Sequence, residues 1–187
     1  MTDNALEQVK KTINTLIIQS SFPEEPFHSV NTLEWVLKLM PDAGEALQIA
    51  ALGHDIERAF EDKRIHSEDF DSFEEYKQAH ALNSAQIMAQ IMEEHGAEQD
   101  IVDDVAKLVA HHEIGGDERE EALKNADIIS FFHVCLPLYY DRKGEEITRK
   151  RAVWGFKKLP EDLRDTVRGF EYMDEELARI MQETLGL

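Results

Sequence analysis

Apolar residues Leu6, Val9, Ile13, Leu16 and Ile17 recur at intervals of three and four, the spacing of one face of an α-helix. Residues 4–19 are therefore predicted to form an amphipathic helix, which "SFPEEPF" at 21–27 then breaks. A second stripe, Val30, Leu33, Val36, Leu37 and Met40, predicts a helix that starts at His28 and stops at Pro41. Asp42 and Glu45 have the spacing of a capping box, which would open a third helix over "AGEALQIAALGHDIERAF". Ser72 with Glu75 does the same for a helix through "YKQAHALNSAQIMAQIM", with Gly96 suited to its C-terminal cap. Ile101, Val105, Leu108 and Val109 mark another helix over 98–112. Asp117 with Glu120 can cap one that runs through Asp127 to about His133, and three more segments follow near 144–157, 161–172 and 174–185.

Alternating apolar and polar runs rich in β-branched residues are missing, so no strand is predicted. The expected fold is all-α, a single-domain bundle of about eight helices over 1–187. Its chemistry-bearing core lies at about 22–135, and the helices of 144–187 pack on that core.

Composition narrows the function. Hydrophobic residues make up 42% of the 187-residue chain, enough for a core of its own. The formal charge of −19 argues against a nucleic-acid partner or an anionic membrane surface. No stretch has the apolar length to cross a bilayer, and the N-terminus lacks the pattern of an export signal. Together with the lone Cys135, this leads us to expect a cytoplasmic protein. One segment departs from the acidic average. Arg142 to Arg168 holds nine Lys or Arg against five Asp or Glu, either a solvated helix face or a rim that attracts a phosphorylated substrate.

The predicted helices carry chemistry in a fixed order. His28 begins the second, His54 and Asp55 close the third, His80 lies in the fourth, His111 and His112 close the fifth, and Asp127 lies within the sixth. Any one of these alone reads as a hydrogen-bonded structural residue. As a set, imidazole nitrogens with carboxylate oxygens are the donors for iron, manganese, zinc, cobalt or nickel, and the single cysteine excludes a thiolate site. Coordination would offset the desolvation of His54 and Asp55 at the end of an apolar helix.

The ordered series His28, "HD" at 54–55, His80, "HH" at 111–112 and Asp127 resembles the HD-domain superfamily of metal-dependent phosphohydrolases, over about residues 22–135. The resemblance implies two cations per chain, iron or manganese first among candidates. One would be held by His28, His54, Asp55 and Asp127. The other would share Asp55 and take His80 and His111, with His112 joining in some members. "HHE" at 111–113 resembles the cyclic-dinucleotide phosphodiesterase branch, but the Gly-Tyr-Pro element of that branch does not follow. Some members of that branch bind a third metal through a glutamate one turn before the first histidine. Here Pro26 separates Glu24 from His28, and no third metal is expected.

Arg58, three residues after Asp55, takes the position of a substrate-contacting lysine in two-metal relatives, and its planar fork suits two phosphate oxygens. The alternative is a surface arginine paired with Glu57 or Asp62. The resulting expectation is a phosphohydrolase whose metal-bound hydroxide, at a bridging Asp55, attacks a small phosphorylated compound, a nucleotide first among candidates. Arg58, Lys150 and Arg151 would orient the phosphate. A mixed-valence diiron oxygenase and a metal-dependent binding module without turnover remain alternatives. The oligomeric state is open.

Overall fold

The computed structural model describes residues 2–186, whose regular secondary structure is all helical, with no strand among the described residues. Helix α1 spans Thr2–Ile17, α2 Glu25–Leu39 and α3 Glu45–Gly53. Helix α4 spans Phe73–Glu94, α5 Gln99–His111 and α6 Glu118–Ser130. Helix α7 spans Leu136–Lys158 with a bend at Gly144, α8 Glu161–Arg168 and α9 Glu175–Leu185. The expected all-α bundle is the one found.

Two apolar cores hold the helices. Leu47, Ile49, Met88, Leu108 and Leu123 are fully buried in the first, between α3, α4, α5 and α6. Phe132, Leu136, Leu159, Leu177 and Ile180 fill the second, between α7, α9 and the end of α6. Trp35 and Leu39 on α2 pack against both, which ties the C-terminal helices to the rest. None of the described helices is long and apolar enough to cross a membrane.

Several boundaries differ from the sequence expectation for local reasons. Helix α2 starts three residues before His28, because proline is tolerated in the first helical turn and Pro26 lies there. The Asp42–Glu45 capping box does not form. Gly44 is the N-cap, and Glu45 turns instead to Lys10 at 3.0 Å. Helix α3 does not run to Phe60 but ends at Gly53, and a short 3₁₀ turn follows over Ile56–Ala59. Ser72 caps α4 by accepting from the Glu75 amide at 3.1 Å, and the reciprocal Asp117–Glu120 box opens α6. The segment expected as a separate helix from 144 is the continuation of α7 past Gly144, whose φ of 74° is one that glycine adopts freely.

Candidate metal centre

Six side chains from α2, α3 and its trailing turn, α4, the end of α5 and α6 meet in the interior: His28, His54, Asp55, His80, His112 and Asp127, all buried. They divide into two groups. His28 Nε2 lies 3.0 Å from Asp127 Oδ1, and His54 Nε2 lies 3.6 Å from the same atom. His80 Nε2 and His112 Nε2 lie 2.7 and 3.6 Å from Asp55 Oδ1. The other oxygen of Asp55, Oδ2, is 3.7 Å from both His28 Nε2 and His54 Nε2. Asp55 therefore offers one oxygen to each group. It can do so because α3 stops at Gly53, which turns the next two side chains inward. A Cβ at Gly53 would lie 2.3 Å from Met88 Sδ, so a larger residue there would require the Met88 side chain to shift.

The outer ring nitrogens fix which atoms face inward. His54 Nδ1 is 2.9 Å from the Ala51 carbonyl and His112 Nδ1 is 2.7 Å from the Val109 carbonyl, each three residues back at a helix end. His80 Nδ1 is 2.8 Å from Glu57 Oε1. Carbonyls and carboxylates only accept, so each Nδ1 carries a proton. Ser130 directs its hydroxyl to the His28 carbonyl at 3.3 Å and so accepts from His28 Nδ1 at 3.0 Å. In the neutral form all four rings then present an Nε2 lone pair to the centre, the tautomer that orients metal-ligating histidines.

A neutral set of this kind is repulsive without a cation. His28 Nε2 and His54 Nε2 face each other at 3.1 Å, and the buried His112 Nε2 has no hydrogen-bond partner. Protons can fill the gap. Burial opposes charge on His112, but the Asp55 and Glu113 carboxylates outweigh it and push its pKa up to about 10. The His54 pKa is raised in the same way, with Asp55 and Asp127 overcoming burial. Burial would raise Asp55, yet Arg58, His54 and His80 hold it well below the usual carboxylate range. Asp127 is likewise lowered, by His28 and His54 against burial. Two ionised carboxylates with four imidazoles that need positive charge between them fit transition-metal binding by nitrogen and oxygen donors.

Among the residues expected at the site, His111 does not join it. Its ring is 40% exposed and its Nδ1 lies 2.6 Å from Glu120 Oε1, because the helical rotation between neighbours sends His111 outward when His112 points in. This corrects the expected ligand. Arg58 lies beside the centre, with Nη1 2.5 Å from Asp55 Oδ2 and 2.5 Å from Glu25 Oε1, rather than paired with Glu57 or Asp62. Lys150 is a second correction. It is exposed on the outer face of α7 and pairs with Glu146 at 2.7 Å one turn away, so it does not reach the centre. Arg151 turns inward, its guanidinium 4.2 Å from the Phe131 ring and 4.7 Å from that of Trp154. The amide of His28 donates to the Glu24 carbonyl at 2.9 Å, so the helical register passes through Pro26, but the Glu24 carboxylate pairs with Arg142.

A cavity of about 280 Å³ opens onto Asp55, His28 and Asp127 and is walled by Arg58, Arg142 and Arg151 among others. Only Arg142, Lys143 and Arg151 of the basic 142–168 segment line it. His66, from the charged loop after the 3₁₀ turn, also borders it. Three residues that support the site were missed from the sequence. Glu57 is fully buried and holds His80. Lys77, also buried, forms an ion pair with Glu113 beside His112. Ser130 orients His28. Lys77 and Ser130 stand three residues from His80 and Asp127 on the same helix faces, a signal that was present.

A family model described as Domain of unknown function (DUF4202) matches residues 3–181. No curated protein and no solved structure matches the chain.

Proposed function

This chain belongs to the DUF4202 family, and we propose that it is an HD-type metal-dependent phosphohydrolase that acts on a small phosphorylated compound, a nucleotide first among candidates. The reading is carried by one observation: four imidazole Nε2 atoms and two carboxylates converge, each ring fixed through its far nitrogen, and His28, Asp55 and Asp127 of this set line a cavity walled by arginines. His28, His54 and Asp127 would hold one cation and His80 and His112 the other, with Asp55 shared between them. Iron or manganese suits the donors. Two cations in such a cradle supply Lewis acidity at a phosphoryl oxygen and lower the pKa of water.

The chain's own residues do the rest. Arg58, next to Asp55 and open to the cavity, binds a non-bridging phosphoryl oxygen, and Arg151 supports the substrate from the opposite helix. Phe131 and Tyr139 line the same cavity and exclude water from the reacting ester. Water adds to phosphorus and the ester P–O bond breaks, giving inorganic phosphate and the free alcohol. A single buried free thiol, Cys135, accords with a reducing cytoplasm.

The test is elemental analysis of protein purified without chelator, followed by an anaerobic phosphate-release screen over nucleotides and phosphorylated metabolites. Two equivalents of metal and phosphate release, both lost in Asp55→Ala, are expected. Two iron per chain, no release, and oxygen uptake on some substrate would replace the proposal with an oxidative activity.

A further inference from the structure

Three arginines surround a single aromatic ring at the edge of the cavity. The guanidinium carbons of Arg58, Arg64 and Arg142 lie 5.9, 5.2 and 5.1 Å from the centre of the Phe22 ring. They come from three separate parts of the chain: the turn after α3, the loop before α4, and α7. All four residues line the cavity that holds the metal centre. Like charges gathered this closely repel one another, and the arrangement needs compensating anions.

The protein supplies only part of that compensation. Arg58 is paired with Glu25 and with Asp55, but Asp55 is the carboxylate that faces both histidine groups. Arg142 is paired with Glu24. Arg64 has no carboxylate partner among the described residues, and its Nη1 donates only to the Ser21 hydroxyl at 3.1 Å. With Asp55 assigned to the histidines it faces, Glu24 and Glu25 are left against three guanidiniums, so the cluster keeps one unmatched positive charge, at Arg64, in a chain whose formal charge is −19. The Phe22 ring holds the guanidiniums through its face without neutralising them.

We infer that the Phe22–Arg64–Arg142 cluster is a second anion subsite, so that the substrate carries an anionic phosphate beyond the one that sits at the metal centre. The ligand class is a compound with a pyrophosphate linkage or a phosphate chain, not a simple monophosphate. Arg58 lies between the two subsites, in contact with Asp55 on one side and Phe22 on the other, which makes them neighbours and fits adjacent phosphates. Guanidinium forks suit this ligand because each can meet two phosphate oxygens. The inference rests on the phosphohydrolase reading only for which phosphate is cleaved.

The experiment is calorimetric titration of the full chain as purified with methylphosphonate and with methylenediphosphonate, two probes that cannot be hydrolysed. Wild type is expected to favour the diphosphonate by tenfold or more. In Arg64→Met the preference should fall below threefold, and in Arg64→Lys it should be intermediate. Lys150→Met, which removes an exposed charge outside the cavity, should keep the full preference. Equal affinity for both probes in wild type would overturn the inference, as would an Arg64→Met variant that keeps the preference or weakens both probes alike. No turnover enters the measurement. A chain that favours the diphosphonate through Arg64 yet releases phosphate from nothing supports the subsite and removes the hydrolase reading.

Discussion

His80 and Glu57, both fully buried, are joined by a 2.8 Å hydrogen bond from the ring Nδ1 to the carboxylate, and the opposite ring nitrogen lies 2.7 Å from Asp55. Burial would raise the Glu57 pKa, but His80, the Ile65 amide and Arg58 lower it. Glu57 also accepts from Ile65 N at 2.8 Å and Asn83 at 3.2 Å, so it joins the loop after residue 60 to the ligand set. Removing a carboxylate that orients a metal-bound histidine costs about 10–100-fold in metal affinity. Glu57→Ala should lose metal by that factor in competition with a chelator. Glu57→Gln, which keeps an acceptor, should lose less.

The two adjacent histidines give a sharper contrast. His112→Ala removes a buried Nε2 from the cluster and should abolish stoichiometric metal at one position. His111→Ala removes a half-exposed ring paired with Glu120 outside the cluster and should leave metal content intact. Elemental analysis of both variants checks this. Loss of metal in His111→Ala with full content in His112→Ala would reverse the assignment.

The helical architecture was legible because the amphipathic stripes, from Leu6–Ile17 to Ile101–Val109, have the helical period, although the α2 stripe misleads about burial: only its Val36 is buried, Val30 and Leu37 are exposed, and His28, Ser29 and Thr32 face inward instead. The candidate ligands were legible because they stand at helix ends and inner faces. The choice within "HH" was not, since a helix end at His111 leaves the following residue's direction to the local turn. Glu57 was hidden for a related reason: α3 gives way to a 3₁₀ turn at Ile56, and helical periodicity carries no information there. Lys150 and Arg151 illustrate the limit of charge counting. Adjacent residues on α7 face opposite ways, one to solvent and one to the cavity.

Metal loading should release protons. Without a cation His112 has a pKa of about 10, so at neutral pH its ring carries a proton that coordination must displace, and the raised pKa of His54, next to Asp55 and Asp127, acts in the same direction. Raised pKa values mean that the protonated state persists as pH rises, until each ring's own pKa is passed. Apparent affinity should therefore increase with pH, by about tenfold per unit for each proton displaced. Titration of metal into chelator-treated protein, in buffers of differing ionisation enthalpy, reads the number released. A pH-independent affinity between 6 and 9 would mean that His112 is not a ligand.

Lys77 and Glu113 form a buried ion pair against this centre, with Glu113 Oε1 3.4 Å from His112 Nε2 and Lys158 3.9 Å from the other oxygen. Burial disfavours the Lys77 ammonium, but Glu113 and Asp55 keep its pKa raised, so the pair stays ionised. Breaking such a pair leaves an uncompensated charge in the interior and costs about 3–5 kcal/mol, whereas replacing both partners by apolar residues is often neutral. Lys77→Met should therefore lower the melting temperature by roughly 6–20 °C, at about 2–4 °C per kcal/mol for a chain of this size. Adding Glu113→Leu should restore most of that loss. If the double variant is stable but binds metal more weakly, the pair serves the site's charge balance and not the fold. If the single variant melts like wild type, Lys158 has taken over the compensation of Glu113, and the cavity wall is more adaptable than the Lys77–Glu113 contact implies.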